Sequence, residues 1–363
     1  MILDGYLARR FAWHFGLVLA IFVVLRFLID LIEELQHFSE LPLREVLHIV
    51  LLNMPAANYE ILPLVVVLAS VALFVRLARS SELVVVRAAG RSALRSLLAP
   101  LAVAGLIGVL AVTMLNPVVA ATAKRHNDLT NSLIGGDAAV LVIASEGLWL
   151  RQGGPDGQTV IHAERASSDL SVLFDTTFID FDPDGRPAQR IAASAARLDP
   201  GGWTLYNVKQ WDLAGNDNPE AGAVTRDELR LPTAMTRDRI LDSFGRPEFI
   251  PIWELPQFIA QLDQAGFSAR RYAMWYQMEI AGPVFLVALV MISAAFTMRH
   301  ARLSNTGLSV LSAILLGFGM YYMRNFAQIL GENGQIPILL AAWAPPVASL
   351  LLATGILLHM EDG

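Results

Sequence analysis

The chain has no cysteine and very little lysine, and each shortage excludes a class of function. Without cysteine among its 363 residues it can form neither disulfides nor thiolate metal sites. Neither of its two lysines, Lys124 and Lys209, follows a glycine, whereas the phosphate-binding loop of P-loop nucleotidases requires Gly-Lys followed by Ser or Thr. If ATP drives this protein, another subunit must therefore bind it.

Charged residues are also scarce, at 17% of the chain against 55% hydrophobic residues and a mean hydropathy of +0.49. Soluble domains carry about a quarter charged residues. A helix that crosses roughly 30 Å of hydrocarbon needs about 20 mostly apolar residues, and six segments qualify: 11–32, 52–75, 97–120, 273–297, 306–329 and 337–358. The net charge of −6 gives no basic surface for nucleic acid. We therefore predict a multi-pass protein of a bacterial inner membrane.

The arginines predict the orientation, because basic residues of short loops stay on the cytoplasmic side. The segments that share one side of a six-span protein are the arginine-rich ones, which carry Arg9, Arg10, Arg76, Arg79, Arg87, Arg91, Arg95, Arg299 and Arg302. Both termini are therefore predicted to be cytoplasmic, and the long polar segment after the third span is predicted to be periplasmic.

That segment, 121–271, has the pattern of short strands separated by Gly, Pro and Asp turns. The predicted fold class is an α-helical integral membrane protein with six transmembrane helices and an inserted periplasmic all-β domain, jelly-roll-like. The predicted domains are 1–120, with the first three spans, 121–271, with the β-domain and a linker helix, and 272–363, with the last three spans.

The link RLARSSELVVVRAAGRSALRSLLAP between spans two and three contains the strongest local motif. A serine can cap a short helix whose first turn holds Glu82, where a carboxylate suits the helix dipole. The simpler interpretation is a positively charged hairpin. The functional interpretation is an ATPase-coupling helix near 80–92 that presents its apolar side chains to a groove on a soluble partner. The predicted coupling residues are Ser81, Glu82, Leu83, Val84, Arg87 and Gly90.

Ionisable residues inside spans are costly and mark functional sites or structural pairs. Arg26 and Asp30 lie four residues apart on one face of the first span, and Arg324 lies in the outer half of the fifth. With Glu33, which follows the first span, they form the predicted substrate cavity or gate. For Glu60 and Glu279, a structural pair explains the position as well as a functional site does.

Catalytic and metal-ligating patterns are weak. His162 and Glu164 share one face of a predicted strand, but no third ligand or nucleophile accompanies them, and the other histidines lack ligand spacing. We predict no catalytic residues, no metal and no cofactor.

Three features together resemble a known family: LDGY before the first span, the RSSELVVVRAAG link, and the Ile-Pro of GENGQIPILLAAWAPP that opens the last span. The chain resembles the lipopolysaccharide export permeases of the LptF/LptG family, and within it the LptG members, over nearly its whole length. The link is the most specific element, and its acidic residue falls on Glu82.

The resemblance implies a permease of an ABC transporter that extracts lipopolysaccharide from the inner membrane, with spans one and five as gates. It implies an LptF-like paralogous permease and a cytoplasmic LptB ATPase dimer as partners. A periplasmic bridge through LptC and LptA towards the outer membrane is implied as well.

One departure concerns the outer end of the first span. Family members can carry lysines there that meet lipid A phosphates, whereas this chain has Asp30, Glu33, Glu34, Gln36 and His37. Either other residues such as Arg26, Arg44 or Arg324 make these contacts, or the lipid carries fewer phosphates.

Two other functions are consistent with the pattern. The first is a non-transporting scaffold or sensor whose β-domain binds a periplasmic ligand. The second is an intramembrane enzyme, which the lack of a paired acid and base disfavours.

Overall fold

The computed structural model describes residues 2–80, 82, 92–134, 140–144, 147–154, 157–167, 171–182, 185–214, 218–233, 246–264, 268–298 and 306–362. Its helices are α1 (Ile2–His37), α2 (Leu43–Glu60), α3 (Leu62–Arg79), α4 (Ala93–Leu110), α5 (Asn116–Ile134), α6 (Leu255–Gln264), α7 (Arg270–Thr297), α8 (Thr306–Glu332) and α9 (Ile338–Asp362). A π-helical turn, Ala111–Leu115, joins α4 to α5, and a 3-10 turn covers Pro247–Phe249.

Six helical segments are long and apolar enough to cross a membrane: Leu3–His37, Leu62–Arg79, Leu94–Leu133, Arg270–Thr297, Gly307–Glu332 and Ile338–His359. The predicted helical membrane protein with an inserted β-domain is thereby confirmed. The second of these segments begins at Leu62 rather than near residue 52, because the chain breaks at Ile61, whose N–H bonds the carbonyl of Tyr59. Pro63 lies in the first turn of α3, where a residue without an N–H fits and the preceding helix cannot continue. Glu60 ends α2 and is exposed.

The fourth span, α7, is the centre of the helical unit. Within the most apolar stretch of each span, 67% of the residues of α7 are buried by the chain itself, against 6% for α1. Phe285, Leu289 and Ile292 of α7 pack with Phe74 and Leu77 of α3 in the main apolar cluster. Because lipid is as apolar as these side chains, their close van der Waals packing stabilises the helix contacts here. The other faces of the spans, α1 above all, remain available for lipid or another subunit.

The described strands form one antiparallel sheet in the order β1-β2-β3-β4-β5-β6-β7. They are β1 (Val140–Ala144), β2 (Gly147–Gly154), β3 (Gly157–Ala166), β4 (Val172–Phe181), β5 (Pro187–Asp199), β6 (Gly202–Asp212) and β7 (Val224–Pro232). Each strand pairs with its neighbours in the chain, so the sheet is an open meander. A jelly roll, in contrast, pairs strands that are not consecutive, and the described strands do not show that order.

A row of apolar residues crosses the sheet and explains its register. Leu150 lies opposite Ile161, Ile161 opposite Phe178, and Phe178 opposite Ile191. All four side chains are at most 1% exposed. Because a one-residue slip would turn an entire strand's apolar set to the other face, this row specifies the pairing.

The chain divides into two compact units. The helical unit comprises Met1–Asn127, Pro251–Trp253 and Arg270–Gly363, and the β-unit comprises Asp128–Ile250 and Glu254–Ala269.

Candidate functional site

The carboxylate of Glu82 is held by donors from two elements. The hydroxyl of Tyr6, near the start of α1, donates to Oε2 at 2.8 Å, and the hydroxyl of Ser80, the residue after α3, donates to Oε1 at 2.9 Å. The Arg10 guanidinium lies 3.5 Å from the same Oε1. The side chains of Glu82 and Arg10 are only 31% and 27% exposed. Two hydroxyl donors and one guanidinium therefore hold the carboxylate at the start of the predicted coupling segment.

An apolar recess lies beside this group. Its walls come from α1, α3, α4 and the end of α7, with Leu3, Tyr6, Leu7, Phe74, Leu77, Ser96 and Met298 surrounding Glu82. The recess explains why Tyr6 reaches the carboxylate, because its ring is placed against apolar side chains while its hydroxyl points to the polar atom, as is usual for tyrosine. The other predicted coupling residues, Ser81, Leu83, Val84, Arg87 and Gly90, lie outside the described residues.

Arg26 and Asp30 of the predicted gate lie together on α1. Arg26 Nε is 3.0 Å from Asp30 Oδ1, a charge contact without hydrogen-bond alignment, and Asn53 of α2 donates to Asp30 Oδ2 at 3.1 Å. The Asp30 side chain is 2% exposed, whereas that of Arg26 is 41% exposed. The carboxylate therefore serves the contact between α1 and α2, and the guanidinium remains accessible. Glu33 is exposed on the same helix.

Arg324 is separate from that pair and belongs to a second polar group. Its Nη2 donates to the carbonyl of Met278 at 3.1 Å, and its Cζ lies 5.4 Å from the centre of the Phe285 ring. It interacts electrostatically with Glu279, which accepts a hydrogen bond from the hydroxyl of Tyr59. The four predicted gate residues thus fall into at least two places in the helical unit.

Asn116 connects this second group to a short strap, Pro251–Trp253, of the helical unit. Its side chain interacts with Tyr59, and its Oδ1 accepts the N–H of Ile252 at 2.9 Å. Beside it, the indole of Trp253 donates to the carbonyl of Thr113 at 3.3 Å. That carbonyl lacks its α-helical donor because residue 117 is a proline. Local π-helical geometry of this kind is frequent at functional sites.

Sequence reasoning does not single out Tyr6, Arg10, Tyr59 or Asn116 as site residues. Tyr6 is part of LDGY and Arg10 part of an arginine pair, and neither pattern predicts a partner more than 70 residues away. Asn116 alone leaves a signal, since an amide beside a proline interrupts an otherwise apolar run.

The side chains of these groups are suited to binding and to structural support of the helices. Among the residues that the structure describes, no group of three His, Cys, Asp or Glu could hold a metal ion. His162 of β3 stacks on Trp149 of β2, with ring centres 4.3 Å apart. A carboxylate that accepts two hydroxyl donors and lies beside a guanidinium suits a mechanical or docking contact.

Comparison with known proteins identifies similar sequences over nearly the whole chain. A family model described as the lipopolysaccharide export system permease LptF/LptG matches residues 5–359. The lipopolysaccharide export system permease protein LptG of Escherichia coli (strain K12) is 25% identical over 307 residues, which are 83% of this chain and 80% of that protein. The protein of the same name from Haemophilus influenzae is 22% identical over 318 residues, 86% of this chain and 85% of the relative.

Proposed function

This chain belongs to the lipopolysaccharide export system permease LptF/LptG family, and from that premise we propose that it is the permease subunit of an ABC transporter that extracts lipopolysaccharide from the inner membrane. The observation that carries the proposal is the match of the family model to residues 5–359. The chain is LptG-like, since the similar curated proteins have that name. It is a transporter subunit, and ATP hydrolysis is assigned to a separate partner.

Family membership and six apolar helices make the chain a multi-pass inner-membrane protein. Its proposed topology follows from the arginines, with both termini in the cytoplasm and the β-domain in the periplasm. The proposed domain limits are 1–120, 121–271 and 272–363. In this arrangement the 80–92 segment faces the cytoplasm, where an ATPase can reach it.

The proposed partners are an LptF-like paralogous permease, an LptB ATPase dimer, and the LptC and LptA proteins of a periplasmic bridge. The ATPase drives transport through the difference between its affinities for two permease states. Closure of the ATPase dimer moves the 80–92 segment and with it spans two and three, which narrows the cavity and expels the lipid. Ser81, Glu82, Leu83, Val84, Arg87 and Gly90 are the proposed coupling residues.

The proposed cavity or gate includes Arg26, Asp30, Glu33 and Arg324. Of the arginines, Arg26 is the better candidate for a lipid A phosphate, because its side chain is 41% exposed and a guanidinium binds phosphate in a bidentate manner. Arg324 is less suited, since it already donates to Met278 and lies over Phe285.

Co-purification from native cells tests the proposal. The tagged wild-type chain is expected to bring down a P-loop ATPase and a six-span paralogue in stoichiometric amounts. Glu82→Lys is expected to weaken ATPase association without unfolding the chain, because it reverses the charge of the proposed docking residue. Glu40→Lys is the matched control, since Glu40 is exposed in the loop between α1 and α2.

Two results would count against the proposal. Normal ATPase association and normal export in Glu82→Lys would remove the coupling role of this residue. A wild-type chain that brings down neither subunit would instead favour a scaffold or sensor whose β-domain binds a periplasmic ligand.

A further inference from the structure

The amino-terminal end of α1 is attached to Glu82 by a preassembled pair of side chains. Tyr6 and Arg10 lie four residues apart, so they occupy one face of the helix. The Cζ atom of Arg10 lies 4.6 Å from the centre of the Tyr6 ring, a cation–π contact that orients both groups. Both then contact the same carboxylate, one through a hydroxyl and one through a charge. We call Tyr6, Arg10 and Glu82 the clamp.

Apolar side chains of α1 and α3 pack together beside the clamp. Leu7 and Phe11 of α1 are 4% and 0% exposed, and Phe74 and Leu77 of α3 are 2% and 1% exposed. All four belong to the main apolar cluster of the helical unit. The start of α1 is therefore packed against α3, which ends at Arg79, three residues before Glu82.

The rest of the first span has little comparable support within this chain. Only 6% of its most apolar stretch is buried, and Leu17, Ile21 and Leu28 are each about half exposed. Beyond its clamped end, the polar contacts of this span with the rest of the chain are those of Asp30 with Asn53 and of Glu34 with His126, among the described residues.

We propose that Tyr6 and Arg10 are positioning residues that transmit movement of the coupling segment, through Glu82, to the first span. The inference rests on the proposed function above, in which an ATPase moves that segment. It adds a direct route to α1, in addition to the movement of spans two and three. Tyr6 and Arg10 contact neither nucleotide nor lipid in this role and act through Glu82.

Because the clamp is partly exposed, its role is better explained by transmission of movement than by a contribution to folding stability. Its charged members are roughly one-third exposed, and partly exposed ion pairs contribute little to folding. Loss of the clamp is therefore expected to leave the thermal stability and abundance of the complex unchanged.

Parallel assays of ATP hydrolysis and lipid extraction test the inference. The transporter complex, co-purified through this chain and reconstituted in liposomes that contain lipopolysaccharide, is compared for wild type, Tyr6→Phe and Arg10→Gln. Arg9→Gln is the matched control, because Arg9 is exposed beside Arg10 and loses the same charge. We expect both clamp variants to keep ATPase association and hydrolysis but to lose about five-fold or more in extraction, while the control behaves as wild type.

A distance measurement distinguishes transmission of movement from a merely structural role of the clamp. Because the chain has no cysteine, Leu17→Cys on α1 and Leu351→Cys on α9 give its only two thiols, both at exposed positions; the complex without these two substitutions, labelled in the same way, gives the background from other subunits. The nucleotide-dependent change in the distance between the labels is expected in the otherwise wild-type complex and is expected to be lost with Tyr6→Phe.

Two outcomes would overturn the inference. Normal extraction in both clamp variants, or loss of ATPase association in them, would show that the clamp does not transmit movement. A wild-type chain that brings down no ATPase would instead refute the proposed function, so the two failures are distinguishable.

Discussion

Replacement of Gly108 by alanine tests a close contact between α4 and α7. A Cβ at this position would lie 2.6 Å from the Cα of Pro283 and 3.0 Å from its Cβ. Carbon atoms pack at about 3.5–4.0 Å, and a backbone atom cannot rotate away, so α4 and α7 would have to separate by about 1 Å. Such overpacking costs about 1–3 kcal/mol.

Alanine also favours a helix over glycine, which by itself would stabilise the variant by about 1 kcal/mol. Gly105→Ala on the same helix cancels this contribution, because its Cβ would lie at an ordinary 3.5 Å from Val287 Cγ2. The expected difference in unfolding free energy between the two variants is therefore about 1–3 kcal/mol, with Gly108→Ala the less stable. Unfolding by sodium dodecyl sulfate in bicelles measures it. Equal stabilities of the two variants would refute the packing described here.

Three further outcomes are expected. Asp30→Ala should lower the unfolding free energy by about 1–3 kcal/mol, because it removes a buried acceptor from the contact between α1 and α2, and the same bicelle titration measures it. Trp253→Phe should speed amide hydrogen exchange in the π-helical turn, because it removes the donor to the Thr113 carbonyl; unchanged exchange would contradict the contact. In the β-unit, two hydrogen bonds hold the pKa of Glu220 below its ordinary value. The bond from Lys209 has the larger effect, and the bond from a neighbouring indole has the smaller one. Because this pKa is depressed in the folded state, its contribution to stability is present at neutral pH and is lost as the pH falls through it. The protection factors of amides in the surrounding strands, which correct exchange for its intrinsic pH dependence, should therefore fall in acid, and Glu220→Gln should reduce that fall.

The helices could be predicted where the signal is local. The apolar runs mark the six spans because the backbone must be satisfied within each span in hydrocarbon. The break at Ile61 lies within the predicted second span because Pro63 suits the first turn of a helix, and hydropathy does not register this effect. The alternation of apolar residues likewise predicts strands, but alternation alone does not specify whether strands pair in a meander or in a Greek key.

The candidate sites were harder to predict from the sequence. Arg26 and Asp30 could be paired because they are four residues apart on one helix. Glu82 could be chosen from its motif, but its partner Tyr6 could not, since 76 residues separate them. The sequence also predicts Arg324 as a cavity or gate residue, but its contact with Met278 of α7 depends on how the spans pack.

By itself, the sequence determined that this chain is a six-span membrane protein with a β-rich insertion and no P-loop of its own. These properties follow from composition and from short periodic patterns, in which each residue is judged with its neighbours along the chain. Only the tertiary structure decided that Tyr6 meets Glu82, and that Tyr59 meets Glu279 across 220 residues. Such contacts arise when helices pack, because their geometry depends on the shapes of all the side chains between them.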